Sequence, residues 1–335
     1  MIFVYKKEGS GKGKRQWRWS VPLAIIISAL TIWLSFRGIK LNQLKQALRG
    51  VNFFWVLIAM GNSLFTVYAL GWRWRQLLNQ RASLSYGTLF RLNILAQYAN
   101  ILAPARMGEL LRMYLTSKEA KAESGFILGT IAAEKILDVV VFVAGWFFLT
   151  SYFAWQRALS LPFSLIMGTF GLMVLLILFV LKPSFVLRTI DKLLFFLPEK
   201  WRKPIIDFIK SGLIAFAYFK NPARTSLVLL LTLFLLFSQA LTNYLVFLAF
   251  DLKLSFVAAV LIILAIQLGS VPPSAPGKIG IFEYVVILAL TLFSVPREQA
   301  LSYALILHLV AYLPKIILGG LYTARLPLDS LIKKR

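Results

Sequence analysis

The feature that most constrains this chain is a series of apolar runs, each about as long as a lipid bilayer is thick. A membrane-spanning helix needs about 20 apolar residues. Six stretches approach or meet that length: 20–36, 51–71, 126–150, 161–181, 226–250 and 300–322. With 59% hydrophobic and 15% charged residues, the chain has too few polar groups to cover a soluble surface. We therefore expect an all-α, polytopic integral membrane protein.

Basic residues predict the orientation of the chain, because loops rich in Lys and Arg stay on the cytoplasmic side. Six of the first 19 residues are Lys or Arg, nine lie in 182–225 and four lie in 323–335. We expect these three regions in the cytoplasm and the protein in the inner (cytoplasmic) membrane, with both termini cytoplasmic. The run 20–36 has no small-residue cleavage site at its end, which favours an uncleaved helix over a signal peptide.

Segment 37–50 is the exception, since it has basic residues on the predicted outer side. Its Leu41, Leu44 and Leu48 predict a short helix lying in the interface. Apolar residues at helical spacing within 182–225 predict amphipathic helices on the cytoplasmic surface. The predicted organisation is a basic N-terminus, a transmembrane domain and a basic tail: 1–19, 20–322 and 323–335.

Composition excludes several function classes. In so apolar a chain the net charge of +24 favours anionic membrane surfaces over nucleic acid as the partner. The sequence has no cysteine and a single histidine, His308, so it offers no disulfide, no thiolate chemistry and no His- or Cys-based metal site. It also lacks the phosphate-binding loop of nucleotide hydrolases. We expect no cofactor and no metal.

Two regions, 88–117 and 256–294, begin as apolar helices and then break. The first break contains "APARMGELL" (103–111) and the second contains "APGKIGIFE" (275–283). Both follow the pattern Ala-Pro-x-[Arg/Lys]-x-Gly at a constant offset, and an acidic residue follows each glycine. The sequence therefore predicts two re-entrant helical hairpins built on the same motif.

By the predicted orientation, the chain enters the two breaks from opposite sides of the membrane. This is an inverted-topology repeat, with a first copy at about 51–150 and a second at about 226–322. Such architectures place a substrate site near the bilayer midplane, where the broken helices meet.

The residues at each break suit an anion. Proline removes a backbone donor and glycine lets the chain turn, so N–H groups at the start of the next half-helix face the gap, where the helix dipole favours negative charge. A neighbouring basic side chain completes a phosphate-like site. The substrate-binding candidates are Arg106, Gly108, Glu109, Arg112, Lys278, Gly280 and Glu283. The alternative is a kinked helix in which Arg106 reaches the interface and pairs with Glu109.

Further charges lie within the predicted spans, where each costs at least about 2.5–3.5 kcal/mol unless it is paired. Glu134 and Asp138 lie four residues apart on one helix face, where they can pair with Arg106 or Arg112, transfer protons or form a static ion pair. Lys315 follows Pro314 and can pair with Glu283; the alternative is a helix kink from which the lysine reaches the interface. The charge-balancing or proton-carrying candidates are Glu134, Lys135, Asp138 and Lys315.

Other polar and aromatic residues have a purely structural interpretation as well as a functional one. His308 is expected to be a packing residue rather than a proton relay, and the tryptophans near helix ends, Trp74 among them, are expected in the interfacial belts. Asn and Gln in spans are commonly interhelical hydrogen-bonding residues. The cavity-lining candidates are Arg91, Gln97, Asn100 and Gln267.

The stretches "ARMGELLRMYL", "AAEKILDVV" and "PSAPGKIGIFE" together resemble the signature stretches of the lysylphosphatidylglycerol synthase transmembrane-region family, over about residues 20–322. That family includes the flippase half of the multiple peptide resistance factor. The resemblance implies a polytopic inner-membrane protein with re-entrant segments, linked to translocation of phospholipids or polyprenyl lipids between leaflets. The matching residues are Gly108, Glu109, Arg112, Glu134, Asp138, Pro276, Gly277, Gly280 and Glu283.

The full-length synthase has a soluble C-terminal aminoacyl-transfer domain, whereas only residues 323–335 follow the last predicted span here. Lysylation of lipids by this chain alone is therefore not expected. We expect a non-enzymatic, flippase-like transporter of a lipid with an anionic or zwitterionic head group. The alternatives are a partner that recruits or regulates a lipid-modifying enzyme, a transporter of small solutes, and a glycosyl or head-group transferase. The last is disfavoured because segment 37–50 has no Asp or Glu.

Overall fold

The computed structural model describes residues 26–103, 107–155, 167–168, 171, 199–270 and 275–325. This part of the chain is built of helices joined by turns and contains no β-strand. Its α-helices are α1 Ile26–Phe36, α2 Leu41–Arg49, α3 Phe53–Leu78, α4 Tyr86–Leu102, α5 Met107–Ala120, α6 Ser124–Trp155, α7 Glu199–Leu213, α8 Pro222–Ala249, α9 Phe256–Gly269, α10 Ile281–Thr291 and α11 Arg297–Ala324. Ile214–Lys220 and Pro276–Lys278 are 3-10 helices.

Polar side chains start several of the helices. The Asn52 side chain accepts a hydrogen bond from the Phe54 N–H (3.0 Å), and the Ser85 hydroxyl accepts one from the Thr88 N–H (3.2 Å). At the start of α8, Asn221 accepts from the Arg224 N–H (3.2 Å), and Pro222 occupies the first helical position. Because the first N–H groups of a helix have no partner within it, these caps fix where α3, α4 and α8 begin.

Among the described residues, α3, α8 and α11 are long and apolar enough to cross a membrane. They pack against one another and form much of a large apolar cluster with α9 and α10. Their outer faces expose large apolar side chains such as Phe53 (64%) and Leu230 (63%). Exposing such apolar surfaces to water would be unfavourable in free energy, whereas contact with lipid tails carries no such penalty. The pattern is therefore that of a membrane protein.

The connections between helices gather at two ends of the bundle. At one end the Asn52 N–H donates to the Ala249 carbonyl (2.9 Å), and Arg297 donates to the Leu34 carbonyl (2.9 Å). At the other end the Gln80 amide donates to the Ala215 carbonyl (3.1 Å), and the Ser211 hydroxyl binds the Glu123 carboxylate. These contacts join neighbouring connections to each other at each end.

The helices follow most of the predicted spans. Predicted segment 51–71 lies in α3 from residue 53 onward, and the helix continues past the predicted end to Leu78; segment 126–150 lies within α6. The expected short helix in 37–50 is α2, and the described part of 182–225 contains the amphipathic α7. Most of predicted span 161–181 lies outside the described residues.

Candidate functional site

The first break lies between α4 and α5, two short helices that pack against each other. They have 17 and 14 residues, fewer than the roughly 20 needed to cross a bilayer. Pro104 and Arg106 lie outside the described residues. Gly108 donates its N–H to Asn100 Oδ1 (2.7 Å), and a Cβ at Gly108 would collide with the Ala96 carbonyl. In this structure Gly108 and Asn100 hold the two arms of the hairpin together.

A buried network of charges joins this hairpin to α3 and α6. Arg112 Nη1 lies 2.9 Å from Glu134 Oε2, and Arg73 Nη2 lies 3.4 Å from Glu134 Oε1. Arg73 Nη1 lies 2.5 Å from Asp138 Oδ1. The side chains of Arg73 and Glu134 are each 1% exposed, whereas that of Asp138 is 35% exposed. The network therefore runs from the protein interior to a partly open edge.

Neutral groups complete the inner part of the network. Arg73 Nη1 also donates to the Thr232 hydroxyl on α8 (3.2 Å). The Arg112 guanidinium lies 3.5 Å from the centre of the Trp74 ring, whose Nε1 donates to the Thr130 hydroxyl (3.0 Å). Trp74 is fully buried, so its assignment to an interfacial belt is wrong. Its ring contributes a cation–π contact to a buried arginine.

The outer edge of the network contains Lys135 and Glu109. Lys135 Nζ lies 3.4 Å from Glu109 Oε1 and 4.0 Å from Asp138 Oδ2. The network thus contains three cationic and three acidic side chains: Arg73, Arg112, Lys135, Glu109, Glu134 and Asp138. Because the charges balance, this region does not itself require an added anion or cation.

The second break lies between α9 and α10, which also pack against each other. Gly277, Lys278 and Gly280 have positive φ values of 70°, 58° and 91°. The Gly280 N–H donates to Glu283 Oε2 (2.7 Å), and Glu283 Oε1 lies 2.5 Å from His308 Nδ1. One glutamate therefore fixes both the turn and its contact with α11.

One interpretation of this break needs correction, and another needs an addition. Glu283 pairs with His308, and within the described part of the chain Lys315 forms no ion pair with it. His308 packs between Phe282 and Tyr312, with ring centres 4.7 and 4.3 Å away, as a packing residue would. The hydrogen bond between His308 and Glu283 is a further role that the sequence does not predict.

Helix α1 holds the second break in place. The Ala275 N–H donates to the Ser28 hydroxyl (2.9 Å). A Cβ at Gly280 would lie 2.6 Å from the Ser28 carbonyl oxygen. With its φ of 91° and this close approach, position 280 requires glycine.

The two breaks meet. The turn Pro276–Lys278 packs against α4, and a Cβ at Gly277 would lie 4.0 Å from the carbonyl oxygen of Ile101, near the end of that helix. Lys278 Nζ donates to the Ser270 hydroxyl (2.9 Å). Lys315 is close enough to Lys278 for the two charges to repel. The structure thus brings one end of the first hairpin, the turn of the second and two lysines into one region.

The predicted cavity-lining residues are more scattered. Arg91 lies in an exposed ion pair with Glu119 (2.6 Å), and Asn100 binds Gly108. Gln97 and Gln267 are half-buried. Among the residues that the structure describes, no three His, Asp or Glu side chains come together in a way that would hold a metal ion.

Sequence comparison identifies the family. The family model described as "Lysylphosphatidylglycerol synthase TM region" matches residues 21–319. The chain belongs to this family. The match includes both breaks and every member of the charge network, so these features lie within the family region. With its long apolar helices, this TM-region protein is a multi-pass membrane protein.

Two relatives of this TM-region protein come from Methanocaldococcus jannaschii. One is the UPF0104 membrane protein MJ1595, 24% identical over 327 residues, covering 93% of this chain and 96% of the relative. The other is the UPF0104 membrane protein MJ1078, 25% identical over 227 residues, covering 67% of this chain and 92% of the relative. Both names describe membrane proteins and state no activity.

Proposed function

We propose that this TM-region protein moves a lipid between the two leaflets of the inner membrane, without chemical change of the lipid. The observation that supports this most is the meeting of the two breaks, where Pro276–Lys278 packs against α4 beside Ile101. Broken helices within a membrane are tolerated where they are buried in protein or line a hydrated cavity. Transporters place substrate sites at such junctions.

The proposed topology is an inverted repeat. The pairs α4–α5 and α9–α10 each consist of two short helices in contact across a break. By the orientation that the basic regions predict, the chain enters the first pair from the cytoplasmic side and the second pair from the outside. We therefore take the two pairs to be re-entrant hairpins that enter from opposite leaflets, with both termini of the chain cytoplasmic.

Each part has a task in this proposal. The balanced network around Glu134 is a rigid joint between the first hairpin and the bundle, so Glu134 and Asp138 act as fixed ion-pair partners and not as proton carriers. Lys278, at the turn of the second hairpin, contacts the lipid phosphate, and Arg106, its counterpart in the sequence motif of the first break, is the second candidate for this contact. The acyl chains stay in the bilayer, which removes any need for a large enclosed pocket.

The test is leaflet exchange in proteoliposomes. The purified full chain is reconstituted with phospholipids and polyprenyl phosphates labelled on the head group, and a membrane-impermeant quencher reports the fraction exposed over time. Lys278→Ala and Arg106→Ala are compared with Lys253→Ala, which alters an exposed lysine between α8 and α9. We expect exchange of one lipid class, lost in the first two variants and kept in the third.

Absence of exchange for every lipid, with and without an imposed proton gradient, would overturn the proposal. Full exchange in both Lys278→Ala and Arg106→Ala would overturn the assignment of these residues. In the first case the next experiment is co-purification, since a stoichiometric lipid-modifying enzyme would indicate a recruiting or regulatory role.

A further inference from the structure

Lys315 lies where three helices converge. On α11, Tyr312 packs edge-on against Phe282 of α10 (6.2 Å between ring centres). One turn beyond Lys315 on the same helix, Gly319 packs closely against Tyr98 of α4. Residues three to four positions apart share a helix face, so Lys315 lies between these two contacts, on the side of α11 that faces the junction of the breaks.

The local charges leave Lys315 without an acidic partner among the residues that the structure describes. It is close enough to Lys278 for the two ammonium groups to repel each other. Both carboxylate oxygens of Glu283 are already engaged, Oε1 by His308 and Oε2 by the Gly280 N–H. Lys315 therefore differs from the cations around Glu134, each of which lies against a carboxylate.

A half-buried ammonium among apolar helices is costly unless a counter-charge approaches it. A second ammonium nearby raises that cost, because like charges repel more strongly away from water. An anion placed between the two removes both costs at once. Phosphate is well suited, since its oxygens accept charge-assisted hydrogen bonds from ammonium groups.

We propose that Lys315 and Lys278 together bind the phosphate of an anionic lipid whose head group has no positive charge of its own. A zwitterionic head group brings a cation that both lysines repel. This inference rests on the proposed function for the lipid nature of the ligand, and it narrows the substrate class to anionic lipids. It also makes Lys315 a ligand-binding residue, whereas Arg112 belongs to the balanced network.

The test measures equilibrium binding and requires no transport. The full chain in a neutral detergent is titrated with radiolabelled dihexanoyl phosphatidic acid, dihexanoyl phosphatidylcholine and inorganic phosphate, and bound ligand is counted after equilibrium dialysis. The variants are Lys315→Gln, Lys278→Gln and Lys315→Arg, with Lys253→Gln as a matched control at an exposed lysine. Thermal unfolding of each variant verifies that it is folded.

We expect the phosphatidic acid to bind at least about tenfold more tightly than the phosphatidylcholine. Lys315→Gln and Lys278→Gln should each weaken it by about tenfold, which corresponds to about 1.4 kcal/mol per lost charge-assisted hydrogen bond. Lys315→Arg and Lys253→Gln should bind normally. If Lys315→Gln does not fold, Lys278→Gln tests whether binding depends on the lysine pair. Lys315→Arg keeps the positive charge, so it should fold and bind the phosphatidic acid normally.

Unchanged affinity in folded Lys315→Gln, or equal binding of the two lipids, would overturn the inference. Inorganic phosphate that binds as tightly as the phosphatidic acid would overturn the lipid assignment and identify free phosphate as the ligand. Lysine-dependent binding without leaflet exchange would refute the proposed transport and leave the binding site intact. Exchange without lysine-dependent binding would refute the site and leave the transport.

Discussion

Arg112 and Glu134 form an ion pair of 2.9 Å between α5 and α6, with both side chains buried. Glu134 also reaches Arg73 on α3, so a single carboxylate joins the first hairpin to two helices of the bundle. Each carboxylate oxygen of Glu134 lies against a different buried arginine, so loss of Glu134 would leave both arginines short of negative charge. Its position therefore suits a fixed joint between the helices.

Replacing Glu134 by Gln should strongly destabilise the protein. The substitution leaves the buried guanidinium groups of Arg73 and Arg112 with insufficient negative charge, and loss of one partner of a buried pair typically costs about 3–5 kcal/mol. Chemical denaturation in detergent measures this cost. Glu109→Gln is the control, since the Glu109 side chain is 27% exposed, and it should cost about 1 kcal/mol or less. A loss below about 1 kcal/mol for Glu134→Gln would contradict the role of a joint.

Removing Arg112 together with Glu134 should be less harmful than removing Glu134 alone. In Arg112→Met/Glu134→Gln the buried Arg73 keeps its ion pair with the partly exposed Asp138, at 2.5 Å. The double variant therefore restores the balance that the single variant loses, as replacement of whole buried ion pairs often does. A double-mutant cycle on the denaturation free energies gives the coupling. Additive losses in the two single variants would show that the pair is not coupled.

The sequence predicts where the helices break better than it predicts which residues the charged side chains contact. The breaks at 103–106 and 271–280 were visible because Pro and Gly interrupt apolar runs, a signal contained in a few adjacent residues. Arg73 was missed because α3 continues past the predicted end of the span, and its flanking tryptophans resemble those of a membrane interface. Only the packing of α3 against α6 and α8 turns this arginine inward.

The pairing of Glu283 with His308 was missed for a related reason. The choice between His308 and Lys315 as partner depends on how α10 and α11 are rotated about their axes, and helical periodicity gives that rotation only when one face is clearly polar. A possible signal was present: a glutamate three residues after a glycine at a helix start commonly accepts from the N-cap N–H, as Glu283 does from Gly280. That contact directs Glu283 towards the turn.

Gly108→Ala should destabilise the first hairpin. The added Cβ would collide with the Ala96 carbonyl and approach Asn100, and overpacking of this kind costs about 1–3 kcal/mol. Gly61→Ala is the matched control, because position 61 lies in α3 with no atom within 4 Å of the new Cβ. That substitution should be neutral or stabilising by up to about 1 kcal/mol. Equal effects of the two on thermal unfolding in detergent would refute the close approach.

The inverted arrangement predicts that Ser124 and Lys253 face opposite sides of the membrane. Both side chains are exposed; Ser124 follows the first hairpin and Lys253 precedes the second. The chain has no native cysteine, so each single-cysteine variant can be labelled without background. On intact cells a membrane-impermeant maleimide should label Lys253→Cys, and Ser124→Cys should react only after permeabilisation. Labelling of both from the same side would rule out hairpins that enter from opposite leaflets, because the helices between them would then cross the bilayer an even number of times.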